Sequence, residues 1–175
     1  ELSMPKHYDL ISLASTDIAD SIEELIENHN YFLFMLGTDT VYTHRPTPNG
    51  WYENGETLSY MAQVVAHELG ETNAERAADN PLSFSTPSVD VVNGPTTLGS
   101  EVGQRIAQGV LLILKAVAEG KRNIQISGHS RGAVESILIA HELERIKTQL
   151  SESPSLSLRE ILANTECQLT KRAFN

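Results

Sequence analysis

The sequence is short of several things on which other protein classes depend. Its single cysteine, Cys167, excludes an intrachain disulfide and a cysteine-based zinc site. No apolar run approaches the roughly 20 residues that span a bilayer, since GVLLILKAVA at 109–118 is interrupted by Lys115. Basic residues are outnumbered 13 to 23, leaving a formal charge of -10. A field of that sign repels polyanions and so disfavours non-specific binding to DNA, RNA and anionic lipid headgroups. The opening ELSMPKHYDL has neither the basic n-region nor the apolar h-region of a signal peptide. It also lacks an initiator methionine, and therefore reads as an excised piece of something longer.

What is present is ordinary globular composition. With 40% hydrophobic and 21% charged residues the chain is not of the disordered class, and 175 residues suit one domain with a sizeable core. In TDIADSIEELIEN, Ile18, Ile22, Leu25 and Ile26 share one helical face behind an N-cap at Thr16 or Asp17. Glu23, Glu24 and Glu27 form its solvated side. YFLFML at 31–36 has the length and continuity of a strand covered on both faces, and it runs into the polar loop GTDT. From about 43 to 100 the chain turns rich in proline, asparagine and threonine, an excursion that reads as lid-like, with Trp51 and Tyr52 as an aromatic pair within it. Inside it, Leu58, Met61, Ala62, Val65 and Leu69 predict a helix ending near Gly70, and VDVV at 89–92 predicts a strand.

Beyond 101 the pattern is regular. Val102, Ile106, Val110, Ile113, Leu114 and Val117 follow the helical period up to Gly120, and NIQIS at 123–127 reads as a strand. Val134, Ile137, Leu138 and His141 mark a helix running to about Gln149. SESPS is a linker, and SLREILAN begins a last amphipathic segment. Helices alternating with short apolar strands predict an α/β fold with a mostly parallel sheet.

Between the strand at 123–127 and the following helix lies Gly128-His129-Ser130-Arg131-Gly132, the G-x-S-x-G pattern of a nucleophile elbow. Such a turn holds its serine in a sparsely populated backbone region, where side chains at the flanking positions would collide with neighbouring elements. It lifts the hydroxyl clear of the sheet and aims a helix N-terminus at it, so the Arg131 amide becomes an oxyanion donor. The competing reading is a glycine-rich turn whose serine merely caps the helix. The Arg131 guanidinium could steer a phosphate or carboxylate, or pair with Glu135. His129 is a packing neighbour or a substrate contact rather than a base.

The stretch from Val92 to Ala133 resembles the elbow region of the α/β-hydrolase phospholipases delivered as secreted bacterial effectors. In that family a helix containing Arg-Ile precedes a strand and then G-x-S-R-G-A; Gly103, Arg105 and Ile106 match the helix, and Gly128, Ser130, Arg131, Gly132 and Ala133 the elbow. The family also has Asp-Gly-Thr after an early apolar strand. Gly37 and Thr38 match it, but Leu36 stands where the aspartate belongs, with Asp39 nearby. The resemblance implies that the loop at 37–39 supplies a second oxyanion amide, Thr38, with Asp39 as a substrate contact. It implies a lipid or phospholipid ester as substrate, no cofactor or metal, and a secreted effector as setting.

A serine nucleophile needs a base, and in this fold the order is serine, acid, histidine. Only His141 follows Ser130, and at 1.5 Å per residue it stands roughly 16 Å along the helix, out of reach. His7, His29, His44 and His67 precede the serine. The acid and base are therefore expected beyond Asn175, the chain being the N-terminal part of one α/β-hydrolase domain with C-terminal strands missing and with the rest of the same protein as its partner. HELGE and HELER lack the second histidine of a zinc site, and GPTTLGS has Ser100 where a phosphate-binding loop has lysine. The expectation is a serine esterase acting through an acyl-enzyme on Ser130. A catalytically degenerate hydrolase scaffold serving as an interaction module is the alternative, and a peptidase or acyltransferase would use the same elbow.

Overall fold

The computed structural model describes residues 29–42, 57–72, 80–153 and residue 160. The helix expected at 16–27, the segment beginning SLREILAN, Trp51, Tyr52, His7 and His44 lie outside the described residues. Four strands and three helices are described: β1 (Asn30–Met35), α1 (Thr57–Glu68), β2 (Leu82–Ser85), β3 (Val89–Val92), α2 (Val102–Ala118), β4 (Asn123–Gly128) and α3 (Arg131–Glu152). The strands form one sheet in the order β2-β3-β1-β4. β1 runs parallel to both β3 and β4, with Phe34 opposite Val91 on one side and Ser127 on the other. β2 pairs antiparallel with β3, so the sheet is mixed. The class is α/β.

β1 is central because nearly every residue in it is apolar and can be covered on both faces. Tyr31, Leu33 and Met35 join Val110, Ile113 and Leu114 of α2 and Ile139 and Ile146 of α3 in one cluster. Phe34 and Leu36 join Ala62 and Ala66 of α1 with Phe84, Val89 and Val91 in the other. Helices thus cover the sheet on both faces. Much of the stretch expected as lid-like is therefore core: between 57 and 92 it supplies a helix and two strands. β2, with two serines in four residues, has no clear strand pattern. It is held by Asn93, whose Oδ1 accepts from the Ser83 hydroxyl and the Tyr42 amide, both at 2.8 Å.

α3 differs from its expected orientation. Val134, Ile137 and Leu138 are exposed, and the buried face is Gly132, Glu135, Ile139 and Ile146. The outer strand β4 has no partner on its far side among the described residues. No described helix is long and apolar enough to cross a membrane.

This orientation is testable by denaturation. Ile139→Ala, at a fully buried position, should lose about 2–5 kcal/mol of unfolding free energy. Ile137→Ala, on the exposed face, should stay within about 0.5 kcal/mol of the wild type. Urea midpoints with unchanged slopes measure both, and the reverse order would mean that α3 is rotated.

Candidate active site

The carboxyl ends of β1, β3 and β4 meet at one edge of the sheet, with β3 on one side of β1 and β4 on the other. In an open α/β sheet this divergence leaves a crevice where ligands bind. The meeting is unusually close because glycines line it. A Cβ on Gly37, just after β1, would lie 2.9 Å from His129 Nδ1 and 3.3 Å from Ser130 Cβ. One on Gly94, just after β3, would overlap the Gly37 carbonyl. One on Gly128 would come within 2.6 Å of the Ser136 hydroxyl and overlap the Gly132 carbonyl. One on Gly132 would strike the carbonyls of Met35 and Leu36. Both glycines of the G-x-S-x-G pattern are thus required by backbone packed on backbone.

Ser130 between them has φ 55° and ψ -121°, a backbone conformation rare for a residue with a side chain. Such positions cost of the order of 1–3 kcal/mol and persist only where the surroundings enforce them. Ser130 occupies the N-cap of α3, yet its side chain makes no capping bond, and the residue is exposed. A serine that merely caps its helix would place Oγ on an amide of the first turn. That reading is excluded by the geometry. The first turn closes instead through backbone bonds, Gly132 N–H to His129 O at 2.9 Å and Ala133 N–H to Ser130 O at 3.1 Å. The Arg131 and Thr38 amides donate to no group among the described residues.

Two charged side chains beside the elbow, Asp39 and Arg131, are already engaged. Asp39, at φ 56°, accepts from the Thr97 amide at 2.9 Å and from the Thr97 hydroxyl. Arg131 Nη1 donates to the carbonyls of Thr96 and Thr97, each at 2.9 Å. Neither Glu135 oxygen accepts a hydrogen bond, so the guanidinium does not bond to it, and its Nη1 is taken by main-chain carbonyls. His129 is exposed, its ring over Gly37 and its backbone N–H on the Met35 carbonyl at 3.3 Å. Leu36 is fully buried among Phe34, Ala62 and Phe84, so the position holding aspartate in the resembling family is core here.

No described histidine is hydrogen-bonded to Ser130. His29 bonds the Gly120 carbonyl at 3.0 Å, His67 lies on α1, and His141 is exposed on α3. Two cavities of about 680 and 370 Å³ lie away from the elbow, beside α1 and at the amino end of β1 and β3. The elbow itself opens to solvent. No cluster of three or more metal-ligating side chains is found among the described residues. Comparison with protein-family models, curated proteins and solved structures gave no match.

Beneath the elbow lies a group that hydropathy alone would not reveal. Glu135 is buried at 1% exposure, and neither of its carboxylate oxygens has a hydrogen-bond partner; the buried Nε of Arg105 on α2 has none either. Burial raises the Glu135 carboxyl from 4.5 to about 7, against the opposing pull of the Arg105 and Arg131 charges. The folded chain therefore keeps a proton that the unfolded chain releases. The resulting stability is fully present below about pH 4.5 and is lost as pH rises through about 7. Glu135→Gln should accordingly raise the melting temperature over wild type more at pH 8 than at pH 5. An equal difference at both pH values would contradict a protonated Glu135.

Proposed function

We propose that the chain carries the nucleophile of a serine hydrolase acting on carboxylic esters. The observation that carries this is the Ser130 side chain: exposed, held at positive φ and making no capping bond, with the Arg131 amide next in the chain and Thr38 following the Gly37 that packs against Ser130 Cβ. Ser130 Oγ attacks the ester carbonyl carbon as its proton passes to a base. The tetrahedral oxyanion takes the Arg131 and Thr38 N–H groups, aided by the α3 dipole. The carbon–oxygen bond to the alcohol then breaks, the alcohol leaves with the proton, and water releases the acid from the acyl-enzyme.

The base and its supporting acid come from outside the described residues. The edge of β4, unpaired among the described residues, and the exposed Val134, Ile137 and Leu138 on α3 offer a face for the strands that would bring them. A lipid or phospholipid ester as substrate, and a secreted effector as setting, rest on the resemblance around the elbow. Leu36, fully buried in the core where the resembling family has aspartate, favours a second reading, a hydrolase scaffold kept as an interaction module.

A fluorophosphonate probe separates the two. In the whole protein it should label the wild type and fail to label Ser130→Ala. A wild type that takes no label would leave the scaffold reading.

A further inference from the structure

Residues 95–99 form a short loop beside the elbow, and side chains of opposite charge hold it from two helices. Glu101, just before α2, accepts from the Thr96 hydroxyl at 2.8 Å and the Thr96 amide at 3.2 Å. Arg131, opening α3, donates through Nη1 to the Thr96 and Thr97 carbonyls, each at 2.9 Å. Behind the loop the charges continue. Arg105 stands one turn beyond Glu101, and Glu135 one turn beyond Arg131, each at the i, i+4 spacing that makes side chains neighbours on a helix. Glu101, Arg105, Glu135 and Arg131 thus alternate in sign from one anchor of the loop round to the other.

This circuit is open at Glu135. The residue is 1% exposed, neither carboxyl oxygen is hydrogen-bonded, and the buried Nε of Arg105 has no acceptor. A buried carboxylate left without hydrogen bonds is far more costly than a neutral carboxyl, so the observed arrangement suits the protonated form. Once ionised, the group has about four acceptor positions to fill. The charges acting on it are those of Arg105 and Arg131. β1 and β4, the strands under α3, carry no charged side chain, and the exposed His129 has its ring over Gly37. Glu101 stays ionised, since the Thr96 hydroxyl holds its carboxyl below the usual carboxylate range.

We propose that Glu135 is a proton-operated latch on residues 95–99: neutral, it leaves Arg131 on the Thr96 and Thr97 carbonyls, and ionised, it draws that guanidinium and Arg105 Nε to itself and frees the loop. One proton is lost to solvent as the pH rises, and one set of hydrogen bonds replaces another. The latch does not depend on the chemistry of Ser130. Because Arg131 follows Ser130 directly, it makes the surroundings of the elbow respond to pH.

Amide hydrogen exchange in the whole protein, divided by the intrinsic rate at each pH, tests this. The Thr97 and Gly99 amides are bonded to Asp39 and to the Thr96 carbonyl within the tied loop. Their protection should fall about tenfold between pH 5 and pH 8, halfway at about 7, as the charged anchor leaves. Glu135→Gln should keep the pH 5 protection at pH 8, and Arg131→Gln should show the low value at both. Wild-type protection that is the same at pH 5 and pH 8 overturns the latch, and so does a fall that persists in Glu135→Gln. An equal fall at Leu33 and Met35 of β1 would mean a general loosening of the fold and would overturn it too.

Discussion

Everything at the carboxyl edge of this sheet depends on backbone meeting backbone without side chains between. Gly132 lies against the carbonyls that end β1, Gly128 against the first turn of α3, and Gly94 against Gly37. These contacts leave the chain between Gly128 and Gly132 no room for an ordinary turn, and Ser130 takes the resulting positive φ. The strain is local and is sustained by the two apolar clusters that hold the strands and helices in place. The exposed hydroxyl is thus a consequence of packing several residues away.

The same contacts order the surroundings. Because Gly37 rests on Ser130, the loop after β1 cannot move independently of the elbow, and Asp39 carries that constraint to residues 95–99. Arg131 closes the circuit from the helix side. The Asp39 carboxylate and Arg131 Nη1 are here occupied in fixing main chain, which leaves the Ser130 hydroxyl, the exposed His129 and the amides of Arg131 and Thr38 as the groups open to a ligand.

The strands β1, β3 and β4 and the elbow were legible because each has an unambiguous local signal: continuous apolar residues, or glycines where a strand meets a helix. The purpose of the two glycines followed from steric reasoning alone. β2 was not legible, since Leu-Ser-Phe-Ser gains its place from Asn93 and pairing with β3 rather than from its own pattern. The buried face of α3 was also hidden. A glycine and a glutamate occupy it, while three of the helix's apolar residues face outward, so hydropathy periodicity points to the wrong side. The roles of Asp39 and Arg131 involve partners 34–58 residues away, a separation that no local motif encodes.

The central claim is that a strained serine and two open amides form a site prepared for an oxyanion. A crystal structure of the whole protein carrying a phosphonyl adduct on Ser130 tests it most directly. The account predicts a phosphoryl oxygen about 2.7–3.1 Å from both the Arg131 and Thr38 nitrogens, with Ser130 still at positive φ. An adduct oxygen directed to solvent, bonded to neither amide, would contradict it.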